Sequence, residues 1–454
     1  MSTPEKGAGE AARPADVIRS RRYLVLLVLA AAIGVPISAA AYFFLYVVNK
    51  LQHLVFTRLP SGLGFHGTPV WWSLPLLAVA GVLVAATIKY LPGRGGHSPA
   101  DGFQAGGAPS PSELPGVFLA ALATLVLGVV LGPEAPLIAL GGGLAVCVVR
   151  LSRKPAPASA EKVVAAAGSF AAIATLLGSP LIGGVLLMEA IGLGGTALEL
   201  VLMPGLLAAG VGALIFTGLD AWTGLGTFSL KIPNVPHVGR PTISEFGWAI
   251  VIGLAAALLG TGIRRLALEI RPHVERRMLL LTPVVGLAVG GLAVAYAEGS
   301  GRSFSEVLFS GQSALPGLVE HAGSYSVGVL FLLLACKGLG YSLSLTSFRG
   351  GPTFPSLFLG AGGGILMSHL PGLTMVAGAS MGIGAMCAVM LRLPITSVLL
   401  ATLLFFSDGL AVMPLVIVAV VVAFVSSTWL TPEQAAKAGS AQSGEPAPAA
   451  AGHG

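Results

Sequence analysis

Runs of apolar residues dominate this chain. Tyr23–Val47, Val70–Thr87, Phe118–Gly132 and Gly409–Leu430 contain no charged residue. Each is near or above the roughly 17–25 residues that a helix needs to cross a bilayer. Apolar segments occupy about 22–48, 69–91, 113–131, 133–149, 162–177, 180–198, 200–218, 244–262, 278–296, 326–345, 354–369, 373–391, 394–407 and 409–428. Several are too short to span alone, and some are joined by only two or three residues. Half-crossing and tilted helices fit this pattern better than a row of simple spans. The pattern predicts an all-α polytopic membrane protein. Its first segment is too long for a removable signal peptide, and comparable segments follow it.

The polar stretches divide the chain. Residues 92–112 and 218–243 are rich in Gly, Pro, Ser and Thr. The first is expected to re-enter the protein and the second to link two halves. Residues 1–18 form a polar tail, and 431–454 a tail rich in Ala, Gly, Ser, Pro and Glu. Both tails can bury little and are expected to be disordered. The expected division is a first membrane repeat at 19–217, a linker at 218–243 and a second repeat at 244–430.

Composition supports the membrane reading. Only 10% of residues are charged, against about 25% in soluble domains. The 63 glycines suit close helix contacts and backbone breaks inside a membrane. The formal charge of +6 does not point to nucleic acid, because the basic residues sit in short clusters beside apolar segments. These are Arg19, Arg21 and Arg22; Arg150, Arg153 and Lys154; and Arg264, Arg265, Arg271, Arg276 and Arg277. The positive-inside rule places all three clusters, and the N-terminus, in the cytoplasm, for a multi-pass protein of the cell membrane. Cys147, Cys336 and Cys387 lie in apolar contexts and form neither a disulfide framework nor a metal-site pattern. No catalytic triad or phosphate-binding loop is recognisable, so neither an enzyme nor a cofactor is expected.

An internal repeat carries the functional signal. Gly132-Pro133-Glu134-Ala135-Pro136 and Gly351-Pro352-Thr353-Phe354-Pro355 both belong to the pattern G-P-x-x-P-x-x-x-x-G, at an offset of 219. Pro180-Leu181-Ile182-Gly183-Gly184 and Pro394-Ile395-Thr396-Ser397-Val398 follow in the same order, at an offset of 214. Paired broken helices in corresponding halves point to a binding site at mid-membrane. The pattern alone does not separate parallel from inverted repeats.

Proline suits the first helical turn, so Pro133 or Pro136, and Pro352 or Pro355, mark helix starts. Free N–H groups and the helix dipole there favour an anion. Weak sites of this kind permit fast passage without a buried basic residue. Ordinary helix breaks are the plainer alternative. Glu134 lies within one such start, where a carboxylate is costly and therefore a functional candidate. It is a gate, a proton acceptor or both, with a structural helix cap as the alternative. Glu189 is a second intramembrane carboxylate, with a hydrogen-bonding or an accessory transport role. Lys337 is expected to snorkel to an interface.

These residues resemble the CLC family of chloride channels and chloride/proton exchangers, over about Arg21 to Ser427. The resemblance implies two inverted repeats and a homodimer with one pore per subunit, embedded in the lipid bilayer. Gly132-Pro133-Glu134-Ala135-Pro136 is similar to the family's G-[KR]-E-G-P, which makes Glu134 the gating glutamate. Pro133 stands at the usual basic position. Gly95-Gly96-His97-Ser98-Pro99 is similar to G-S-G-I-P, with Gly96 at the anion-binding serine. Backbone groups there, or Ser98 in a shifted register, would take that role; His97 reads as a polar loop residue. Gly351-Pro352-Thr353-Phe354-Pro355 resembles G-x-F-x-P, which implies anion contacts from the Thr353 and Phe354 amides. The segment from Pro180 to Ala190 resembles the run that ends in two glutamates. Glu189 matches the first, and Ala190 stands at the inner proton-relay position. No tyrosine follows Ser427 to match the pore tyrosine.

The expected function is transmembrane chloride conduction by a CLC-type, voltage-gated channel with a glutamate gate. A chloride/proton antiporter with an atypical proton path, a transporter of fluoride or another anion, and a non-transporting membrane scaffold are the alternatives.

Overall fold

The computed structural model describes residues 18–103, 107–151, 158–192, 195–224, 241–405 and 409–431. The expected tails lie outside these residues but for Ile18 and Thr431, and so does 225–240 of the expected linker.

The described chain is helical. The first half contains α1 (Arg21–Gly62), α2 (Ser73–Tyr90), α3 (Leu114–Val126), α4 (Glu134–Leu151), α5 (Ala158–Leu177), α6 (Pro180–Ile191) and α7 (Gly195–Thr223). The second contains α8 (Ile243–Arg276), α9 (Met278–Ser300), the short α10 (Leu315–Glu320), α11 (Val327–Ser347), α12 (Thr353–Met367), α13 (Met375–Leu391), α14 (Pro394–Leu404) and α15 (Gly409–Leu430). Among the described residues, nine helices are long and apolar enough to cross a membrane.

Several boundaries differ from the apolar runs. The segment expected at 180–198 ends its helix at Gly192, which takes the left-handed conformation that glycine adopts freely. The expected linker begins late, because α7 runs to Thr223. Helix α8 continues fourteen residues past the apolar run that ends at 262. Its polar end carries Arg271 paired with Glu275 one turn on, at 2.7 Å. The polar stretch 92–112 does re-enter, with Gly95, Ser98, Pro99 and Ala100 buried.

Packing repeats between the halves. Helix α4 packs on α5 as α12 does on α13, and α1 packs on α7 as α8 does on α15. Equivalent helices also meet across the centre, α2 against α9 and α6 against α14. The last glycine of each repeated motif sits at a backbone contact. A Cβ on Gly141 would stand 2.6 Å from the Gly168 carbonyl oxygen, and one on Gly360 would collide with the Gly382 carbonyl. Small residues allow this approach in a membrane bundle.

Gly132 and Gly351 form an antiparallel bridge. Each donates its N–H to the other's carbonyl, at 2.8 and 2.7 Å. A reciprocal exchange between equivalent residues running in opposite directions is what a local two-fold axis produces. The two motifs are therefore related by a local two-fold axis that runs between Gly132 and Gly351.

Candidate functional site

The bridge delivers both chain segments to helix starts. Leu137 N donates to Pro133 O at 3.0 Å, and Ser356 N to Pro352 O at 3.3 Å. Pro133 and Pro352 thus immediately precede the helices, while Pro136 and Pro355 fall inside the first turns. Proline has no N–H. Each start therefore presents only two first-turn amides, those of Glu134 and Ala135 in α4, and those of Thr353 and Phe354 in α12.

Glu134 is fully buried at the start of α4. Its Oε1 crosses the bridge and accepts the amide of Thr353. The Phe354 amide also faces this carboxyl, whose Oε2 has no partner among the described residues. A Cβ on Gly132 or Gly351 would overlap the carboxyl, which explains glycine at both bridge positions. Around the second helix start, Tyr341 Oη and Ser356 Oγ donate to Pro352 O at 3.1 and 2.6 Å. The carboxylate of the first repeat thus occupies an N–H site belonging to the second.

Gly96 and Ser98 lie elsewhere. Gly96 lines a small cavity with Ala135, Pro136, Arg349 and Gly350, beside the α4 start. Gly96 and Ser98 also line a wider vestibule of about 940 Å³. Its cationic lining is Lys89, Arg94, Arg271, Arg276, Arg277 and Arg349. The sequence-predicted anion set therefore divides in two. Thr353 and Phe354 face Glu134, whereas Gly96 and Ser98 face the basic vestibule. His97 is exposed at the rim of the small cavity.

Glu189 has the bonds of a helix cap. It accepts Ile395 N at 3.0 Å, Thr396 N at 2.8 Å and Thr396 Oγ1 at 2.7 Å, joining α6 to the start of α14 across the local axis. Lys337 does not snorkel. It is fully buried, and its Nζ donates to the carbonyls of Glu306, Val307, Leu308 and Phe309 at 3.0–3.4 Å. Those carbonyls supply the solvation that an interface would otherwise provide.

Two residues escaped the sequence reading. Tyr341 reads as one more apolar position of α11. Arg349 stands two residues before the second motif, where its sequence neighbours give no sign that it is buried.

A family profile described as Voltage gated chloride channel matches residues 80–428. The "Putative ion-transport protein YfeO" of Escherichia coli O1:K1 is 29% identical over 357 residues, covering 78% of this chain and 81% of that protein. The crystal structure of a slow cyanobacterial Cl-/H+ antiporter matches with a TM-score of 0.73 at 19% identity, covering 92% of this chain and 98% of that one. A CLC-type fluoride/proton antiporter matches with a TM-score of 0.67 at 20% identity, covering 89% and 96%. The class is therefore a multi-span membrane transport protein with the CLC fold. The chain belongs to the voltage gated chloride channel family, whose members transport anions across membranes.

Proposed function

We propose that this protein conducts chloride through a pore gated by Glu134. The observation that carries the reading is the Glu134 carboxylate on the Thr353 amide, at the junction of the two halves. An oxygen anion there occupies a helix start that would suit a halide equally well. Protonation removes the carboxylate's negative charge and weakens its hold on the amide. The site then opens to chloride entering from the basic vestibule, where cations raise the local anion concentration.

Channel behaviour is favoured by the lack of a second uncommitted carboxylate at the family's proton-relay positions. Ala190 offers no carboxylate, and Glu189 is committed to the α14 start. Coupled chloride/proton exchange is the second reading, favoured by the unpartnered Glu134 Oε2, which is free to take a proton. The resemblance also implies a homodimer, and the basic clusters imply an N-terminus inside the cell. Exposed Leu181 and Ile395 on α6 and α14 would form part of the joining face; crosslinking in membranes would test it.

The test is flux from liposomes holding purified protein, with chloride and protons followed together. Wild-type chloride flux should rise as external pH falls. Glu134→Gln should hold flux high and nearly flat across pH. Absence of flux from both proteins would leave only the scaffold reading.

A further inference from the structure

The vestibule contains a buried cation that the gate does not use. Arg349 is 9% exposed and lines both the vestibule and the small cavity beside Gly96 and the α4 start. Its backbone N–H is held by Thr124 Oγ1 at 3.4 Å. Among the described residues its side chain donates only to carbonyls, Nε to Arg94 O at 3.3 Å and Nη1 to Phe348 O at 3.2 Å. A guanidinium has five N–H donors, so most of its hydrogen-bonding capacity remains open.

No carboxylate among the described residues pairs with it. The acidic residues of the vestibule are Asp101 and Glu275, and Arg271 holds both, at 2.5 and 2.7 Å. A buried cation without a counter-charge is costly, and an anion in the adjoining space removes that cost. Ser98 is a separate pointer to a ligand. The residue is also 9% exposed, its Oγ has no hydrogen-bond partner among the described residues, and it lines the same vestibule.

The backbone explains why a different side chain is needed. Gly96 has φ 92° and ψ −170°, a region essentially confined to glycine. A serine hydroxyl at position 96 would require this loop to change conformation. The cavity beside Gly96 is instead supplied with polar hydrogens by Arg349.

We propose that Arg349 is an anion ligand at the inner end of the path, assisted by the Ser98 hydroxyl, and that it favours weakly hydrated monovalent anions such as chloride and nitrate over fluoride. This rests on the anion-pore reading. A guanidinium is itself weakly hydrated and compensates poorly for the tightly held water that fluoride must lose. Its full charge also binds more strongly than amide dipoles, so the site saturates at lower chloride.

The experiment is chloride titration of the purified full-length protein, with flux measured in the same preparation reconstituted in liposomes. Arg349→Gln should raise the half-saturating chloride concentration by about tenfold or more, the loss expected for a charge-assisted hydrogen bond. It should also raise fluoride flux relative to chloride. Arg349→Lys should retain most of the affinity. Unchanged affinity and selectivity in Arg349→Gln would overturn the proposal while leaving the pore intact. A pore failure is separate, since wild type and Glu134→Gln would then both lack flux. Should Arg349→Gln fail to fold, arginine modification by phenylglyoxal on the wild-type protein decides. Chloride, but not gluconate, should slow labelling of the Arg349 peptide, and equal labelling in both would refute the assignment.

Discussion

At the residue scale the site depends on the space around one carboxyl. Gly132 and Gly351 leave room for Glu134, and the Thr353 amide holds it. Gly351→Ala would push the carboxyl off that amide. Its flux at pH 7.5 should approach that of Glu134→Gln and lose most of its pH dependence. A Gly351→Ala protein with the wild-type pH profile would show that the seat does not control passage. This part of the site was legible, because a glutamate in a repeated proline-flanked motif is a local pattern. Arg349 was not. Its significance comes from burial against Arg94 and Phe348, which the sequence around Gly350 does not encode. Lys337 misled for the same reason. An isolated lysine in an apolar helix reads as an interface residue until a turn at 306–309 brings its carbonyls within 3.0–3.4 Å.

At the element scale, apolar runs located helices but not their ends. Helix α8 outruns its apolar stretch because its last turns line the basic vestibule, where arginines replace aliphatic side chains without ending the helix. The glycine spacing was more informative. Gly141 and Gly360 close the two motifs and meet Gly168 and Gly382 at backbone distance. Gly382→Val should destroy the α12–α13 contact, seen as loss of the monodisperse peak in size-exclusion chromatography. Gly363→Ala, in open space, should elute unchanged. Equal behaviour of the two would contradict the packing argument. Glu189→Gln should weaken the α14 start and lower stability by about 1 kcal/mol, in the range for losing a helix cap. It should leave the pH profile of chloride flux unaltered. A shifted profile with unchanged thermal unfolding would instead assign Glu189 to the path.

At the scale of the whole molecule, the two matched motifs implied duplication but left its orientation open. Their two-fold relation became visible only through a contact between residues 219 positions apart, the reciprocal Gly132–Gly351 bridge, and the inverted arrangement comes with the CLC fold. That bridge brings the Glu134 carboxyl of one half onto the Thr353 helix start of the other, so the proposed gate draws on both halves. The basic clusters, read first as topology signals, also supply the vestibule through Arg271, Arg276 and Arg277. The most direct test of a Glu134-gated chloride pore is simultaneous chloride and proton flux in liposomes under an outward chloride gradient, with no proton gradient imposed and the voltage clamped. Chloride should leave at a rate that rises as pH falls, with no uphill proton movement. Protons driven uphill in fixed proportion to chloride would contradict the channel account and establish exchange.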